Sequence, residues 1–170
     1  MELAMTRLFL AVPIRLYNYK KIKKTYGCLL EGRWKEEKNL HVTIAFLGSS
    51  LEPDVVCKRL STFDCSFTVS ELTTLDYFQK SRAFVAVTEN PTLQSIYQRL
   101  QKLLELEDTE LTPHATLMHV KKITDNDLFF KKLETSQAEK IGILEPKVAL
   151  YQSTLHSDGA RYEVLGEWPI

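Results

Sequence analysis

Two apolar, strand-like runs in this chain carry the same tripeptide. Leu40-His-Val-Thr-Ile-Ala-Phe-Leu47 contains His41-Val42-Thr43, and Pro113-His-Ala-Thr-Leu-Met-His-Val120 contains His114-Ala115-Thr116. In an extended strand side chains alternate faces, so the His and Thr of each tripeptide point the same way. The chain has only 4 histidines, and two of them sit in this setting. Taken alone, either tripeptide is better read as an edge-strand His beside a cross-strand Thr. The shared apolar frame is what constrains the fold, because it reads as a weak internal duplication. Two α+β halves would each offer one strand to a common cleft.

The remaining periodicities supply those halves. Residues 7–14 (RLFLAVPI) predict a buried strand ended by Pro13. The basic segment 15–24 predicts a helix with a solvated face, closed by Gly27. Strands are expected over 28–34 and 40–47, then a helix over 53–63 with Val56, Leu60 and Phe63 at helical spacing. Residues 66–88 read as two or three strands, the clearest being 82–88. Asn90-Pro91 is a good helix start, followed by one stripe of Leu93, Ile96, Tyr97, Leu100, Leu103 and Leu104. An acidic loop, 105–110, leads into the second tripeptide. A short helix near 125–133 and strands near 140–155 and 162–168 close the chain, with Ser157-Asp-Gly159 as a hairpin turn.

At 170 residues the chain can bury a real core, and no linker or low-complexity segment divides it. Lys+Arg and Asp+Glu are both 22, so nothing global steers the protein to long nucleic acid or anionic membranes. A small nucleotide or an oligonucleotide end suits that neutrality better, although Lys20 to Lys24 with Lys121 and Lys122 could form a local basic patch. Cys28, Cys57 and Cys65 lack the paired spacing of zinc sites and are expected to be buried thiols of a reducing compartment. The N-terminal apolar stretch is too short for a signal-peptide core with its cleavage site or for a membrane span, so a cytoplasmic protein with no membrane partner is expected.

Histidine, with an unperturbed pKa of about 6.5, can take or give a proton near neutrality. Displacement at a cyclic phosphodiester needs both acts: a base on the attacking water and an acid at the departing sugar oxygen. Two imidazoles on opposite sides of the phosphorus can divide these roles, and the threonine hydroxyls can donate to the non-bridging oxygens. No cofactor or metal is called for, and the sequence has no His-x-His, no HExxH and no carboxylate cluster at ligand spacing.

At this point the chain resembles the two-histidine (2H) phosphoesterase superfamily, and within it the RNA 2′,3′-cyclic phosphodiesterases, also called 2′-5′ RNA ligases. RLFLAVPI is similar to the family's opening strand. Trp34 with Lys38-Asn-Leu-His-Val-Thr-Ile-Ala-Phe-Leu-Gly48 resembles its first block, and Pro113-His-Ala-Thr-Leu117 its second. The tail from Leu150 through Gly159 to Trp168-Pro-Ile170 resembles its closing hairpin. The resemblance implies a single α+β domain of two pseudo-symmetric lobes, 1–170, with two antiparallel sheets lining a central groove and helices outside. It implies metal-independent hydrolysis of 2′,3′-cyclic phosphates at RNA ends or small nucleotides to 2′-phosphates, in some members with reversible 2′-5′ ligation. His41 and His114 are then the catalytic pair, with His41 the acid at O3′ and His114 the base on water. Thr43 and Thr116 become phosphate contacts, and a monomer suffices.

One position departs from the family. Five residues beyond the second motif histidine the family carries an arginine, and here that residue is His119. A histidine supplies the charge only when protonated and lacks the guanidinium fork. Strict alternation also sets His119 opposite to His114 unless the strand bulges, so a weaker phosphate contact and a bystander both stay open. Phe9 is either an aromatic near the base or a core residue. Trp34 either stacks on a nucleobase or caps the core. Arg82 either faces the groove or pairs at the surface, and His156 is expected at a surface turn. Two other functions remain open: a 2H exonuclease or 2′-5′ oligonucleotide phosphodiesterase, and a slow RNA-end or nucleotide-binding module.

Overall fold

Residues 6–107, 111–136 and 139–170 are described by the structure, a computed structural model. Residues 1–5 and 108–110, the latter part of the expected acidic loop, lie outside the described residues. The elements follow in the order β1 (Thr6–Leu16), α1 (Tyr19–Tyr26), β2 (Leu30–Trp34), a 3₁₀ turn (Glu37–Asn39), β3 (His41–Gly48) and α2 (Pro53–Leu60). Then come β4 (Glu71–Leu72), β5 (Thr74–Phe78), β6 (Ala83–Val87) and α3 (Pro91–Leu104). β7 (His114–Ile123), α4 (Asn126–Thr135), β8 (Gly142–Leu144), β9 (Lys147–His156) and β10 (Gly159–Pro169) complete the set.

The Asn90 cap expected from sequence is in place, and the structure adds one at Asp125. The side-chain oxygen of Asn90 accepts from the Leu93 amide at 3.1 Å, and Asp125 does the same for Leu128 at 3.0 Å. Gly27 closes α1, but in a right-handed conformation (φ −62°), so its freedom from a Cβ is used for space and not for a left-handed turn. A Cβ there would meet the Lys23 carbonyl oxygen at 2.4 Å. Pro13 does not end β1, contrary to expectation. β1 pairs β9 up to Ala11 and β8 from Ile14 onward, so on that edge Pro13 falls between two ladders, while on the other edge it opposes His41 of β3.

The strands run β10-β9-β1-β3-β7-β6-β5 in one hydrogen-bonded order, with β2 beside β7 and β8 beside β1 and β4. The two expected sheets are therefore joined at their edges, and the junction is narrow. β3 and β7 meet antiparallel at a single registered pair, Val42 opposite Ala115. These are the central residues of the two tripeptides, so the halves of the chain touch at their motifs.

One apolar core takes buried residues from all four helices, among them Tyr26, Leu60, Leu100 and Phe129, and from the inward strand faces, among them Val42, Ile44, Ala115 and Leu117. Burying each such large side chain contributes about 1.5–3 kcal/mol. A one-residue slip of β3 or β7 would turn these residues outward, so burial locks the register that aims the histidines. Phe9, Ala11, Ala83, Val85 and Ala149 are buried too, but outside this core cluster, on the opposite sheet face.

Candidate active site

The two motif strands share one irregularity at the same place. Between β1 and β3 the register passes from Ala11 opposite Thr43 to Leu10 opposite Ala45, leaving Ile44 unopposed. Between β6 and β7 it passes from Val85 opposite Thr116 to Phe84 opposite Met118, leaving Leu117 unopposed. Both extra residues lie three positions after the motif histidine. A one-residue bulge of this kind resets the alternation of every residue beyond it. Residues 40–47 and 113–120 accordingly show the same burial pattern, position for position. Phe46 opposes Phe9, and His119 opposes Ala83, both on the face that carries the histidines. The bulge thus returns His119 to the side of His114 and Thr116.

Carrying the Val42–Ala115 register one step either way sets His41 against Thr116 and Thr43 against His114. Each imidazole is oriented by the backbone two residues earlier. His41 Nδ1 lies 2.7 Å from the Asn39 carbonyl oxygen, and His114 Nδ1 lies 2.8 Å from that of Thr112. A carbonyl can only accept, so each Nδ1 carries the hydrogen and donates it. The Nε2 lone pair of each neutral ring is then left for chemistry.

Beyond this shared device the surroundings differ. The His41 ring stands 4.9 Å from that of Phe9, 5.7 Å from Tyr151 and 5.6 Å from Tyr162. His114 has one aromatic neighbour in the described contacts, Phe78 at 4.8 Å, edge-on. Burial lowers the His41 pKa most; the Asn39 hydrogen bond lifts it by less, and the charges of Lys35 and of His114 add smaller lowering still. His119 is lowered by burial and by Lys35. Burial pushes Tyr151 up to about 12 and raises Tyr162 as well, so both phenols stay neutral beside His41.

Lys35 is the residue that sequence reasoning passed over. It follows β2, where Arg33 opposes His119 and Trp34 opposes Met118, and its amide donates to the Leu117 carbonyl at 2.8 Å. Nothing in the sequence singles it out from the charged run 35–38; only the β2–β7 register reveals its place.

The softer candidates sort by face. Phe9 is 4% exposed, and it packs against His41 and stacks on Tyr151 at 5.1 Å, so it is both buried and next to a motif histidine. Of its two expected roles, Trp34 has the contacts of a core residue: it lies on the face of Met118, edge-on to Tyr19 and Phe84. The Arg82 guanidinium donates to the Lys121 carbonyl, a backbone partner where a surface ion pair was expected. His156 is exposed and ends β9 at the hairpin turn, as expected. Only Cys65 of the three cysteines is buried; Cys57 is half-buried and Cys28 exposed, because the helix-to-strand turn carries Cys28 to the surface.

Among the described residues, no three His, Cys, Asp or Glu side chains are grouped to hold a metal ion. Among the same residues no helix is long and apolar enough to cross a membrane.

No family model matches the chain. It is 28% identical to a Methanocaldococcus jannaschii protein named RNA 2′,3′-cyclic phosphodiesterase, over 95% of this chain and 99% of that one. A Thermotoga maritima protein of the same name is 27% identical over 87% of this chain and 82% of its own. Among solved structures, E. coli LigT complexed with NADP+ superposes with a TM-score of 0.74 at 19% identity, covering 98% of each chain. LigT complexed with 3′-AMP superposes with a TM-score of 0.72 at 19% identity, with the same coverage.

Proposed function

We infer that this chain belongs to the 2H phosphoesterases and is an RNA 2′,3′-cyclic phosphodiesterase. Two relatives of that name align along most of its length, and its fold is that of LigT. The observation that carries the reading onto particular residues is the duplicated motif. Two imidazoles, each with Nδ1 tied to a backbone carbonyl, flank a single strand junction with two threonines on the same face.

The whole chain acts as one domain of two lobes, and every residue in the scheme comes from one copy, so a monomer is complete. The substrate is the 2′,3′-cyclic phosphate of an RNA end or a small nucleotide. His114 takes a proton from water through Nε2 as the water oxygen forms its bond to phosphorus. The P–O3′ bond breaks, and His41 delivers its Nε2 proton to O3′, leaving a 2′-phosphate. Thr43 and Thr116 donate their hydroxyls to the non-bridging oxygens, where charge builds. The dry, cation-flanked setting of His41 suits its acid role: a depressed pKa makes the imidazolium a stronger acid, and the anionic phosphodiester supplies the charge that lets it form. The scheme uses no metal.

Product analysis tests it. Wild-type protein with a 2′,3′-cyclic nucleotide and EDTA is expected to give the 2′-phosphate. Release of the 3′-phosphate would reverse the leaving oxygen. Loss of turnover in EDTA that added metal restores would defeat the metal-free scheme.

A further inference from the structure

The sheet face that carries the histidines also carries a cation to which the proton-transfer scheme assigns no step. Arg33 and His119 are opposed across β2 and β7, so their side chains share the groove face. Trp34 turns to the core, and the next residue, Lys35, returns to that face by alternation. Its amide is held by the Leu117 carbonyl, and its carbonyl accepts from the buried Tyr19 hydroxyl at 2.7 Å. The backbone of Lys35 is therefore pinned from both sides, by β7 and by α1, where β2 leaves for the 3₁₀ turn.

From that place the Lys35 charge reaches both His41 and His119, disfavouring the protonated form of each. The side chain is half-buried, and burial lowers its own pKa. Among the described residues no carboxylate forms an ion pair with it; nearby Glu36 pairs with Lys38 at 3.3 Å instead. The other cations around His119 are engaged elsewhere. Arg33 donates to the Asp158 carbonyl in the β9–β10 turn, and Arg82 to Lys121. A partly desolvated ammonium without a counter-ion is costly, and that cost is offset when an anion arrives.

We propose that Lys35 binds the substrate phosphate, as a fixed cation between the His41 and His119 ends of the groove. The proposal rests on the phosphodiesterase reading for the identity of the anion, and on the groove geometry for the site. It gives the pocket a charge near neutral pH that His119, when unprotonated, does not supply.

The test compares wild type, Lys35→Met and Lys35→Arg. It uses inorganic phosphate binding by calorimetry alongside KM and kcat for a 2′,3′-cyclic nucleotide. Lys35→Met keeps the stem and removes the charge, and should weaken phosphate binding and raise KM by about 10-fold each. Lys35→Arg should retain most of the binding, which a purely structural role for the lysine stem would not require. If Lys35→Met folds poorly, Lys35→Gln serves for the same measurement. Phosphate affinity unchanged on removing the charge would overturn the proposal, even with wild-type turnover intact. Weakened phosphate binding in a protein that does not hydrolyse the cyclic nucleotide would leave the anion site standing and remove the phosphodiesterase reading.

Discussion

The β3 and β7 halves of the groove use one backbone device in two environments. Both strands place His, Thr and a third residue on the groove face through a bulge three positions after the histidine. On β3 the third residue is Phe46, 75% exposed, and the histidine is boxed by Phe9, Tyr151 and Tyr162. On β7 the third residue is His119, exposed, and the motif histidine meets a single half-buried phenylalanine. The backbone sets where the imidazoles stand; burial and nearby charge set how readily His41 holds a proton. A duplicated frame can therefore carry two unlike proton-transfer groups, which acid–base catalysis requires.

The strongest way to break this comparison is to remove either imidazole. His41→Ala and His114→Ala should each lower kcat/KM for a 2′,3′-cyclic nucleotide by about 10²–10⁴-fold, read by steady-state hydrolysis. Near wild-type turnover in one variant would mean that the halves do not share the reaction. Thr43→Val and Thr116→Val remove one donor each and should cost up to about 10²-fold, mainly in kcat.

Stability separates the halves in another way. Phe9→Ala should cost about 3–5 kcal/mol in denaturant unfolding, as a buried ring that its neighbours cannot replace. Phe78→Ala, half-exposed, should cost about 1 kcal/mol. Equal losses would deny the contrast between a boxed and an open histidine.

The pH profile sharpens it further. Burial and Lys35 both disfavour the His41 imidazolium, so His41 loses its proton at lower pH than a free imidazole. The kcat/KM profile should be bell-shaped with one limb below about pH 6.5, and Lys35→Met should move that limb upward. The smallest effect belongs to His119. Its lowered pKa leaves it largely neutral at pH 7, so His119→Ala should change KM there by less than about threefold, and by more near pH 5.

Much of this site was legible in the sequence, because strand alternation alone puts His and Thr of each tripeptide on one face. The helix cap at Asn90 was legible for a similarly local reason. The position of His119 was not, since a bulge is a property of two paired strands and one strand's sequence does not show it. Lys35 was hidden in the same way: its place depends on Arg33 opposing His119 across strands distant in sequence. Trp34 shows the converse. It lies between two charged residues that face the groove, so alternation already assigns it to the core once the register is known.

The central claim is that His41 and His114, from two halves of the chain, are one catalytic unit. The most direct measurement is a double-mutant comparison: cyclic-nucleotide hydrolysis by wild type, His41→Ala, His114→Ala and the double variant. If the two act as one unit, the double variant should lose about as much rate as either single one. Losses that multiply, or a single variant with near wild-type turnover, would contradict it.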